Sequence, residues 1–94
     1  MSKELGYLTA LYLHYSVEEK TPVDVVINKA VTRVRRGVLS YLGGDLFEAR
    51  DSRNAVKFYL SEVERILQIS DYITIYVIFE EQKADEEINN QVEQ

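Results

Sequence analysis

The sequence predicts an all-α protein: an antiparallel αα-hairpin of about residues 22–42 and 46–67, held between two flanking helices in a small four-helix bundle. Three observations lead there. Thr21-Pro22 followed by Asp24 has the form of a helix start, with a capping hydroxyl, a proline at the first helical position and an acid near the positive end of the dipole. At 100° per residue, Val23, Ile27, Ala30, Val31, Val34, Val38 and Tyr41 gather on one face. Gly43-Gly44 then stops the run, and two rods joined by so short a turn must fold back on each other.

Each element has its own warrant. Asp45 with Glu48 resembles a capping pair and opens the second rod, whose core face collects Ala49, Ser52, Ala55, Val56, Tyr59, Val63, Ile66 and Leu67. Residues 4–18 contain Leu and Ala, which favour helix. They also alternate well enough for a strand. Residues 72–79, YITIYVIF, are β-branched and aromatic, which favours strand. The alternative fold is therefore α+β, a βααβ unit with strands at about 7–17 and 72–80. Two lone strands are marginal in water, so that fold needs a second copy to complete its sheet.

Charge divides the chain unevenly. Residues 1–79 balance at ten acids and ten bases, while 80–94 hold six acids against Lys83 and so carry the net charge of −5. The expected organisation is one compact domain over 1–79 and an acidic C-terminal extension over 80–94, with Glu80, Glu81, Asp85, Glu86 and Glu87 as its densest part. Such an extension competes with phosphates or acidic partners for a basic surface. The absence of cysteine excludes disulfides, thiolate metal sites and cysteine nucleophiles, and points to a cytoplasmic protein. No apolar run approaches membrane-spanning length, so no membrane partner is expected. Few thermolabile residues and many Glu, Arg, Ile and Val give a weak thermophile signature.

Two constellations suggest function. Lys29, Arg33, Arg35 and Arg36 on the first rod, with Arg50, Arg53 and Lys57 on the second, form a basic stripe suited to a phosphate backbone or an acidic partner. Surplus aromatics, namely Phe47, Phe58, Tyr7, Tyr12, Tyr15, Tyr72 and Tyr76, suggest a protein-docking face. Chemistry is poorly represented. His14 and Glu18, spaced by four, supply at most two metal ligands, and Gly43-Gly44 lacks the following Lys and Ser or Thr of a phosphate loop. No catalytic residue, metal or cofactor is therefore expected. The reading is a non-enzymatic accessory or adaptor subunit, most concretely of a nucleic-acid-processing complex such as a DNA polymerase assembly. Its partners would be a protein in that complex, weakly a nucleic acid, and in some assemblies a second copy. Alternatives are an antitoxin-like or immunity-like inhibitor of a basic enzyme, or a small homodimeric DNA- or RNA-binding regulator.

Overall fold

The computed structural model describes residues 3–79, so the expectations for the acidic extension lie outside the described residues. One helix, α1 (Lys3–Glu19), precedes six strands: β1 (Val23–Ile27), β2 (Val31–Gly43), β3 (Leu46–Arg50), β4 (Ala55–Tyr59), β5 (Val63–Ile69) and β6 (Tyr72–Val77). A single 3-10 turn, Leu60–Glu62, links β4 to β5. The sheet order is β4-β3-β2-β1-β6-β5. Every neighbouring pair is antiparallel except β1 with β6, which run parallel.

The helical hairpin and four-helix bundle are thus replaced by a mixed six-stranded sheet. The first flank is a helix and not the alternative fold's strand; the second is a strand and not a fourth helix. The physical reason lies in β2. Its inward residues are Val34, Gly37 and Leu39, because one extra residue enters the strand between the pairs Val25↔Val34 and Val23↔Gly37. A β-bulge of this kind turns a spacing of two into three and so counterfeits a helical stripe. The valines that filled that stripe are β-branched and prefer the pleated sheet.

The turn signals also change meaning. Pro22 precedes a strand, where its missing N–H costs nothing, and its carbonyl accepts the Ile73 N–H at 3.1 Å. Gly43 and Gly44 have φ of +110° and +56°, and they let β2 reverse into β3 as a β-hairpin. Ser70, at φ +54°, sits in the tight β5–β6 turn.

The long strand β2 belongs to both halves of the sheet. Its first part pairs with β1 up to Gly37, and its second pairs with β3 from Val38 onward. The core lies between the halves: Val23, Val25, Val34, Ile73, Ile75 and Val77 from one, Leu39, Phe47, Ala49, Val56 and Phe58 from the other, with Val63 beside the 3-10 turn. Among its described side chains, helix α1 buries Leu13 and Ser16 fully, with Val17 packed alongside. Ser16 satisfies its hydroxyl on the Tyr12 carbonyl at 2.9 Å, so its burial leaves no orphaned donor. Among the described residues no helix is long and apolar enough to cross a membrane.

Candidate anion-binding groove

The bulge that bends β2 also shapes the outer surface beside it. Arg36 adopts φ +49°, an uncommon backbone conformation for a residue with a side chain. Leaving the regular ladder frees its N–H, and the Asp24 carboxylate opposite takes that N–H at 2.6 Å. The Arg36 Nη1 donates to both oxygens of the same carboxylate, at 3.0 and 2.8 Å. Its guanidinium carbon lies 3.3 Å from the Tyr72 ring centroid. Partial desolvation alone would lower the Arg36 pKa, but the Asp24 hydrogen bond and charge, with Tyr72 adding to them, outweigh it and raise the value. Arg36 is therefore a fixed positive charge.

Next to this bulge the β3–β4 turn is tied down by Asp51. One carboxylate oxygen accepts the N–H groups of Arg53 and Asn54, both at 2.7 Å, an Asx turn. The other accepts the Arg35 N–H at 2.9 Å and so fastens the turn to β2. These three backbone hydrogen bonds hold the Asp51 pKa below its ordinary value, the nearby Arg53 charge adding to them against a smaller desolvation effect. An ionised Asp51 is thus part of the scaffold.

Between bulge and turn lies an open groove of about 900 Å³ on the outer face of β2 and β3. Arg33, Arg35, Arg36, Arg50 and Arg53 line it, with Ser40 and Asn54 as neutral polar neighbours and Glu48 and Asp51 as its two carboxylates. Both carboxylates are engaged, Glu48 by Arg50 at 3.4 Å and Asp51 by the backbone. Among the described residues, no carboxylate lies within ion-pair distance of the Arg33, Arg35 or Arg53 guanidinium. The arrangement is a cradle of partly uncompensated guanidiniums, which present paired donors to phosphate or carboxylate oxygens.

The structure sorts the basic stripe unevenly. Five of the seven expected residues converge on this groove. Lys29, in the β1–β2 turn at φ +67°, pairs instead with Glu64 at 2.9 Å, and Lys57 is exposed on β4 without lining the groove. Sequence reasoning read Asp24 only as the acid of a helix start, where it is a strand residue paired with Arg36, and did not single out Asp51 or Arg65. The Asp-Ser-Arg-Asn stretch at 51–54 carried a legible turn signal for Asp51. Asp24 and Arg65 had none, because only strand register brings them to Arg36 and Tyr76.

The aromatic surplus divides as well. Phe47 and Phe58 are buried, with stacked rings 6.1 Å apart, and belong to the core and not to a docking face. They are inward members of paired strands, Phe47↔Phe58, which a helical wheel had turned outward. His14, the candidate metal ligand, packs edge-on against Tyr41 and Phe47 at 4.6 and 5.2 Å. Among the described residues, no group of three or more His, Cys, Asp and Glu side chains is placed to hold a metal ion. Tyr7, Tyr12 and Tyr15 do lie on the surface, with Leu8 and Leu11, on the part of α1 that the sheet leaves uncovered. Tyr12 donates its hydroxyl to Gln68 Oε1 on β5. Tyr72 and Tyr76 are half-buried on the outer face of β6, each with an arginine over its ring. No protein family, curated protein or solved structure matches this chain.

Proposed function

We propose that this protein is a non-catalytic binding module whose arginine groove takes the phosphate backbone of a nucleic acid, and that it serves as an accessory subunit of a nucleic-acid-processing assembly. The observation that carries the reading is the convergence of five guanidiniums on one open groove, of which Arg36 and Arg50 are paired with Asp24 and Glu48 while Arg33, Arg35 and Arg53 have no carboxylate within ion-pair distance among the described residues. Guanidiniums stay charged near neutral pH, so the groove offers steady attraction and directional donors. The uncovered part of α1, with Tyr7, Leu8, Leu11 and Tyr15 exposed, supports the second half of the reading, in which a protein of the assembly docks there. A cysteine-free chain fits a cytoplasmic setting.

Salt dependence of binding tests the groove. Arg33, Arg35 and Arg53 would neutralise about three phosphates, so log K for a single strand should fall against log salt with a slope of about −2. Replacing these three by Ala should remove most of that slope. Absence of binding at low salt, or a slope that the triple variant does not change, would remove the proposal.

A further inference from the structure

The groove does not end at Arg36. That guanidinium lines the groove and also covers Tyr72, so the basic surface continues onto the outer face of β6. Tyr72 and Tyr76 lie four residues apart on one strand and hence on the same side of the sheet, about 13 Å from each other. Ile73, Ile75 and Val77 alternate with them and point into the core. Across the strand pair, Arg65 lies opposite Tyr76, with its guanidinium carbon 4.4 Å from that ring centroid. A second concavity of about 370 Å³ opens beside it, between Lys29, Glu64, Arg65 and Tyr76. The outer face therefore presents two tyrosine–arginine stacks and, beside the second, a pocket in which Lys29 is paired with Glu64.

Going beyond phosphate binding, we propose that the ligand is single-stranded nucleic acid, whose unpaired bases stack on Tyr72–Arg36 and Tyr76–Arg65 while its phosphates run along the groove. The proposal rests on the groove reading and adds the class of strand. Flat π surfaces on a sheet select unpaired bases, because a duplex hides its base faces inside its own stack. Arginine planes accept stacked bases as aromatic rings do, so a base either extends the stack over the guanidinium or replaces it on the ring. Asp24 does not repel the strand, since Arg36 neutralises it through both carboxylate oxygens. Stacking of this kind tolerates any base, so recognition would depend little on sequence.

The test measures binding of the full chain by fluorescence anisotropy to a labelled oligothymidine, an abasic strand of equal length and a duplex of equal length. Oligothymidine should bind at least about tenfold more tightly than the abasic strand, which keeps the phosphates but offers no rings. Tyr72→Ala and Tyr76→Ala should each weaken oligothymidine binding about tenfold, well beyond their effect on abasic binding. Tyr76→Phe keeps the ring and should lose far less than Tyr76→Ala, and Tyr72→Leu separates loss of stacking from loss of packing. Equal affinity for oligothymidine and the abasic strand would overturn the single-strand proposal while leaving the groove reading in place. Tighter binding to the duplex would have the same result. No binding to any of the three would overturn both.

Discussion

Replacing Gly37 by Ala separates a sheet from a helix by the sign of its effect. Gly37 stands where β2 passes from one half of the sheet to the other, and a Cβ built there would lie 2.5 Å from Val34 Cγ1 and 2.6 Å from the Arg50 carbonyl oxygen. Both distances fall roughly 1 Å short of ordinary van der Waals contact. Neither neighbour yields easily, since Val34 is fully buried and Arg50 is held in register opposite Val38. Overpacking of this sort costs about 1–3 kcal/mol, and relief here needs two strands to part, which places it near the upper end. A smaller unfolded-state entropy returns about 0.4–1 kcal/mol. The expected net loss is about 2 kcal/mol, a fall in Tm of roughly 10–15 °C for a domain of this size. In an exposed helix the same change would stabilise by about 1 kcal/mol and raise Tm. Thermal unfolding followed by circular dichroism, with the exposed Val38→Ala as a control expected within about 0.5 kcal/mol of the parent, reads the difference. A Tm for Gly37→Ala that is unchanged or higher would refute the close approach of β2 to β3.

Two further outcomes follow from the site. Because the folded state depresses the Asp51 pKa, its contribution is complete above the ordinary value of 3.8 and is lost as pH falls through the lower folded value. The Tm of the parent should therefore drop more steeply with acidification below about pH 4 than that of Asp51→Asn, and parallel curves would contradict the turn-pinning role. Removing residues 80–94 deletes six acids and one base, and should strengthen nucleic-acid binding at low salt. An unchanged affinity would show that this segment does not compete for the groove.

What could be read from the sequence was chemistry more than architecture. Five arginines that share the groove stood out as a basic stripe, because on β2 and β3 most of them occupy outward positions that a helical wheel also turns to solvent. Their scaffold was not legible. Asp24 reaches Arg36 only because β1 lies beside the bulge, and Asp51 reaches the Arg35 N–H only because β3 returns along β2. Phe47 and Phe58 were misplaced for a related reason: their burial follows a period of two, and the wheel assigned them a period of 3.6. At Tyr72–Val77 local propensity pointed to strand, and the helical reading overrode it to complete a bundle. The short glycine turn suited a helical and a strand hairpin equally. Positive φ at glycine ends helices as readily as it reverses strands, and what belongs to the second alone is the pairing of Tyr41 with Phe47.

The parallel pairing of β1 with β6 has a bearing on how the chain acquires its shape. Val23 lies against Ile73 and Ile27 against Val77, fifty residues on, so β1 gains its second neighbour only after nearly every other strand has been synthesised. Until then one side of Val23–Ile27 offers unsatisfied amides and carbonyls to any extended peptide nearby. Loop closure over that distance delays the last pairing, and such non-local topologies fold in roughly milliseconds to seconds, slower than a helical bundle of equal length. In a cell, that interval is when this polypeptide is most exposed to misassembly with its own copies.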